Sequence, residues 1–204
     1  MNKPAPKPFL EEPYLLFLVF VGVGVGTILL QQPPRLALLW TTLVVLSLLH
    51  RSRQPVEWGF SLGNVGRGAL LGLVISLPLL AFLPETLRLF SERLYGTSDV
   101  VLLFYQACFI AAPVEEYFFR GIVQGGRGAS ASIGLYAATA LLYFLPRAPL
   151  LSVFIMFLAM GLLGMIYGYV REHYGLVAAV AGHAVVSLVL QVLPSFIALL
   201  RAAI

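Results

Sequence analysis

The chain reads as an all-α membrane protein, a polytopic transmembrane helical bundle of about seven spans, and three observations predict it. Of its 204 residues, 60% are hydrophobic and only 11% are charged, with mean hydropathy +0.93. A soluble domain carries about a quarter of its residues as charges. The apolar residues lie in long continuous runs rather than in alternation, which argues against a β-barrel. Short segments rich in Pro, Gly and Arg separate the runs and stop helices there.

The elements follow in order. Residues 1–13 are a polar tail in which Pro4, Pro6, Pro8 and Pro13 oppose a helix. Residues 14–30 are the first span, with Gly22, Gly24 and Gly26 in its middle for close helix contact. Residues 31–35 read as a tight turn, 36–49 as a short second span and 50–55 as a basic loop. Residues 56–67, with Trp58 and Phe60, belong at the interface, and 69–83 form a third span interrupted by Pro78. In 84–99, Leu87, Leu89, Phe90 and Leu94 interleave with Arg88, Glu92 and Arg93, the pattern of an amphipathic surface helix closing at Gly96. Residues 100–123 are the fourth span, 124–130 a Gly-rich loop, 131–145 the fifth span and 146–149 a Pro-bounded break. Residues 150–170 are the sixth span, with Gly161, Gly164 and Gly168, and 171–175 are a loop. Residues 176–193 are the seventh span, and 194–204 either extend it or run along the interface. All of 1–204 is expected to form a single membrane domain.

Charge and cysteine content narrow the function classes. The formal charge of +4 comes from scattered loop residues, so no nucleic-acid partner is expected. With the N-terminus inside, the inner side holds Lys3, Lys7, Arg51, Arg53, Arg67, Arg127 and Arg171, against Arg35, Arg88, Arg93, Arg147 and Arg201 outside. That bias, though slight, favours an inside N-terminus. Cys108 is alone in an apolar run, so it reads as a small buried hydrophobe with no disulfide framework. The first apolar run lacks a small-residue cleavage site and does not read as a signal peptide.

The candidate chemistry lies in the fourth and seventh spans. Glu115, Glu116 and Arg120 interrupt an apolar run, and ionisable groups at membrane depth mark a functional site by default. At about 100° per residue, Glu116 and Arg120 share a helix face, a spacing that suits an internal ion pair. Glu115 points about 140° away from Arg120, so it is the acid less able to use the arginine and a candidate general base. The alternative is a charge-satisfied knot that only holds helices together. His183 lies mid-span, and Ser187, one turn on, could orient its imidazole or bind a substrate group. The plainer reading is a histidine satisfied by a backbone carbonyl. His50 and His173 sit beside charged residues and read as solvated or interfacial. A zinc site needs three protein ligands as a rule, and Arg120 competes for Glu116, so no complete metal-ligand set is visible and the cofactor stays open.

The order Glu115-Glu116-x-x-x-Arg120-Gly121, a small-residue span, then His183-x-x-x-Ser187 resembles the CAAX-protease and bacteriocin-processing (CPBP, or Abi) family of intramembrane proteases. The resemblance covers about residues 105–190, and 112–121 match the family's first motif closely. Gly164-x-x-x-Gly168-Tyr169, Arg171, Gly175-Leu176 and His183 follow the pattern into the last motif, where Ser187 stands for a frequent Asn. The family's middle motif is Phe-x-x-x-His; here Tyr143 takes the aromatic position and Arg147 the histidine's. Arginine stays protonated, so Arg147 can be neither ligand nor base, though it can bind an oxyanion or a carboxylate, or simply snorkel to the interface.

The resemblance implies an intramembrane endopeptidase in which water attacks a peptide bond. Glu115, Glu116 and His183 would be catalytic, with Arg120, Ser187, Arg147 and Tyr143 in support. The replaced histidine keeps a second reading open, a catalytically degenerate member acting as a non-enzymatic binding, scaffold or immunity protein. Membrane lipids and an apolar or lipidated peptide or protein are the expected partners, in a prokaryotic plasma membrane.

Overall fold

The computed structural model describes residues 9–51, 55–145 and 148–202, which contain helices and no strand. After a short turn at Phe9–Glu11 come α1 (Pro13–Gly26), α2 (Gln32–Arg51), α3 (Leu62–Phe82), α4 (Pro84–Tyr95), α5 (Val100–Arg127), α6 (Ala129–Phe144), α7 (Leu150–Tyr174) and α8 (Leu176–Ala202). Helices α2, α3, α5, α7 and α8 are long and apolar enough to cross a bilayer. The protein is an integral, multi-pass helical bundle. Of the seven expected spans, the first and fifth are shorter apolar helices of 14 and 16 residues. At about 1.5 Å per residue neither reaches across a hydrocarbon core of about 30 Å by itself.

Several boundaries differ from the sequence reading, for local reasons. Residues 31–35 are not a turn: α2 starts at Gln32, with Pro33 and Pro34 in its first turn, where a missing N–H costs nothing. Gln32 and Arg35 are therefore buried, and Arg35 donates to the Gly24 carbonyl at 3.3 Å. The expected loop at 124–130 shrinks to Gly128, at φ +84°, because α5 runs on to Arg127. The loop at 171–175 shrinks to Gly175, at φ +94°, for the same reason. The last stretch extends the seventh span as far as Ala202. His50 is not solvated: it lies in the last turn of α2, buried, with Nδ1 2.8 Å from the Leu10 carbonyl. Lys3, Lys7, Arg53 and Arg147 lie outside the described residues.

Residues 9–14, the ends of α2 and α5 and the α7–α8 junction gather at one end of the bundle. Arg127 pairs with Glu12 and lies over the Tyr14 ring, Gln124 donates to Glu172, and the Val177 N–H donates to the Trp58 carbonyl. At the other end, α4 is amphipathic as expected. Ser91, Leu94 and Tyr95 face inward, Arg88 bridges Glu85 and Glu92, and Gly96 closes the helix in the left-handed conformation.

Two junctions set the site. First, α3 lies on α8 backbone to backbone. A Cβ on Gly72 would stand 2.5 Å from the Gly182 carbonyl oxygen, and one on Gly68 would strike the Ala178 carbonyl. Second, α5 is capped by Asp99, whose side chain accepts from the Leu102 N–H at 2.9 Å. Asp99→Ala is expected to lower stability by about 1 kcal/mol, seen as an earlier midpoint in detergent unfolding.

Candidate active site

Helix α5 is not uniform. A short α-helical turn, Ala112–Glu116, carries the acids and is flanked by wider π-helical stretches, Tyr105–Ala111 and Tyr117–Val123. Pro113 lacks the N–H that a regular helix needs at that point, and π-type widening is one way a helix absorbs such a break. Such bulges recur at functional sites.

The two adjacent acids have partners of different kinds. Glu116 is wholly buried between charged and imidazole groups: Arg120 Nε lies 3.3 Å from Oε2, and His183 Nδ1 lies 2.9 Å from Oε1. Arg120 is buried too, donates to the Gly164 carbonyl at 3.3 Å, and lies over the Tyr136 ring at 4.1 Å and the Tyr167 ring at 5.3 Å. Glu115 meets neutral donors instead. Tyr143 Oη donates to its Oε1 at 2.7 Å and Trp40 Nε1 to the same oxygen at 3.4 Å.

His183 is thereby oriented. Nδ1 is the ring nitrogen that faces Glu116, which leaves Nε2 as the nitrogen available to another partner. Its ring stacks on Tyr167, with centroids 4.7 Å apart and planes 15° apart. Gly182 lies against α3, so the α3–α8 contact fixes the height of His183.

The helices thus bring Glu115, Glu116, Arg120, His183 and Tyr143 together. Ser187 is buried one turn beyond His183, but the hydrogen bond that orients the imidazole goes to Glu116. Arg147, expected near the site, lies outside the described residues. His173 is exposed and turned back on the Tyr169 carbonyl, away from this cluster. Cys108 is half-buried, with Sγ 3.5 Å from the Ala184 carbonyl. Among the described residues, no three His, Cys, Asp or Glu side chains are placed to share a metal ion.

Trp40, Tyr136 and Tyr167 join the site without any motif to mark them. The signal that could find them is position: Trp and Tyr favour the membrane interface, and these three fall well inside apolar helices.

Residues 97–189, just under half of the chain, match the family model for the type II CAAX prenyl endopeptidase, Rce1-like. Over this segment the chain is similar to the CAAX-protease family. The match contains the whole Glu115–Glu116–Arg120–His183 cluster as well as Tyr143. Glu115, Glu116, Arg120 and His183 are buried within two of the helices long and apolar enough to cross a bilayer. Comparison with curated proteins and with solved structures gave no significant match.

Proposed function

We propose that the protein is an intramembrane endopeptidase in which Glu115 is the general base. The observation that carries this reading is the unequal partnering of the two acids. Both oxygens of Glu116 face Arg120 and His183, so it is committed to holding them. The hydrogen-bond donors to Glu115 are a phenol and an indole, so a proton can reach it without breaking an ion pair.

In this mechanism Glu115 takes a proton from water as the water oxygen bonds to the peptide carbonyl carbon. The C–N bond then breaks, and the leaving amine takes the proton back from Glu115. His183 positions the water through Nε2, with Glu116 holding the ring from behind. Glu116 and Arg120 keep the acid-bearing turn in register.

The substrate is an apolar or lipidated peptide. An apolar cleft of about 210 Å³ supports this; Val44, Leu48, Trp58, Pro113 and Val114 line it, and it runs beside the acid-bearing turn of α5. The short connections between helices favour a prokaryotic plasma membrane, and the slight Lys and Arg bias of the sequence favours an inside N-terminus.

The test is direct. The full chain in lipid nanodiscs is incubated with a farnesylated peptide ending in a CAAX sequence, and products are read by mass spectrometry. Wild type is expected to release the terminal tripeptide, and Glu115→Gln to do so about 10²–10⁴-fold more slowly. Equal rates for the two proteins would remove Glu115 from the mechanism, and an intact peptide with wild type would overturn the reading.

A further inference from the structure

The two donors to Glu115 come from different helices and converge on one oxygen. Tyr143 Oη, near the end of α6, is 2.7 Å from Oε1, and Trp40 Nε1, in the middle of α2, is 3.4 Å from the same atom. All three side chains are buried. Each donor is itself held by another element. Trp40 packs on Tyr95 of α4 at 6.1 Å between centroids, and the Tyr95 hydroxyl donates to Gln191 of α8 at 2.7 Å. Tyr143 is held through its backbone carbonyl, which accepts from Gln32 Nε2 at 3.2 Å. A buried indole N–H needs an acceptor, and here it reaches the carboxylate and, beside it, the Tyr143 hydroxyl.

We infer that Trp40 and Tyr143 are positioning residues that clamp Oε1 of Glu115, so that Oε2 is the oxygen that receives the proton from water. The inference rests on the reading of Glu115 as the base. Donors to a carboxylate favour its ionised form, and a base must be ionised before it can act. The clamp does for Glu115, with neutral groups, what Arg120 does for Glu116. The other titratable or charged groups around this carboxylate are Glu116 and Arg120 on α5, Tyr95 on α4, Tyr136 on α6, Tyr167 on α7 and His183 on α8, and the variants below leave all of them in place.

Dicyclohexylcarbodiimide, an apolar reagent, modifies protonated carboxyl groups inside membranes and needs no substrate. The full chain in nanodiscs is labelled across a pH series, and modification of Glu115 is located by peptide mass spectrometry, with Glu115→Gln as the blank. Tyr143→Phe removes only a hydroxyl, and Trp40→Phe removes the N–H while keeping an aromatic ring. Each is expected to extend half-maximal labelling upward by about one pH unit, the double variant further, since a hydrogen bond to a charged group corresponds to about a tenfold shift or more. In farnesylated-peptide cleavage each is expected to lower kcat about tenfold with KM nearly unchanged. Should Trp40→Phe fail to fold, Tyr143→Phe decides alone. A labelling profile that superimposes on wild type in folded Tyr143→Phe protein overturns the clamp, whatever the cleavage assay gives. Cleavage retained by Glu115→Gln overturns the proposed mechanism, while the labelling still decides the clamp.

Discussion

Arg120→Met is expected to leave little folded protein in the membrane, and adding Glu116→Gln to restore most of it. The guanidinium is wholly buried and serves Glu116, the Gly164 carbonyl and two aromatic faces at once. Removing it strands a carboxylate at membrane depth. Breaking a buried pair from one side costs about 3–5 kcal/mol, because the remaining charge loses its countercharge, and the single His183 hydrogen bond at 2.9 Å does not replace the guanidinium. Against a total stability of about 5–15 kcal/mol, that is a large share. The double variant has no charge to strand, and the amide that replaces the Glu116 carboxylate can still accept from His183. Yield in the membrane fraction and the unfolding midpoint in detergent read both effects. A single variant as stable as wild type would show that the arginine is not what holds the acid-bearing turn.

Gly72→Leu is expected to be among the most damaging substitutions outside the polar cluster. The added Cβ would lie 2.5 Å from the Gly182 carbonyl oxygen, and backbone cannot swing aside as a side chain can. Helix α3 would have to move off α8, and His183, next to Gly182 in the chain, would lose its height relative to Glu116. A loss of about 3 kcal/mol is expected from overpacking. In the cleavage assay, activity should fall further than the folded fraction does. Gly66→Leu is the control: it lies on the same helix, is exposed, and a Cβ there meets nothing within 4 Å. Equal behaviour of the two variants would mean that the α3–α8 contact does not set the site.

Part of the site is legible in the amino-acid sequence. Glu116 and Arg120 pair on spacing alone, because four residues return a helix to the same face, and the pair is present at 3.3 Å. The same arithmetic separates Glu115 from that pair. His183 stands out because an ionisable side chain in an apolar span is costly. The partner of His183 is not legible, since Glu116 lies 67 residues away in sequence. Nor are the donors to Glu115. Tyr143 is marked only as the aromatic position of a motif, and its hydroxyl bond to a carboxylate 28 residues away depends on how α6 lies on α5.

Local sequence by itself determined what the chain had to bury. Its hydropathy dictated helices, and its few charges inside them dictated that those helices close around a polar centre, because lipid offers such groups no partner. The amphipathic pattern of 84–95 and the left-handed Gly96 that ends it were likewise local, set by side-chain periodicity and by glycine's freedom at φ +69°. Only the tertiary structure decided which acid received which partner. Periodicity reports a face, not what lies opposite it. The wider turns on either side of Ala112–Glu116, the close approach of α3 to Gly182 and the arrival of Trp40 from α2 are consequences of helices packing on one another. It is that packing that gives two neighbouring, chemically identical carboxylates different surroundings.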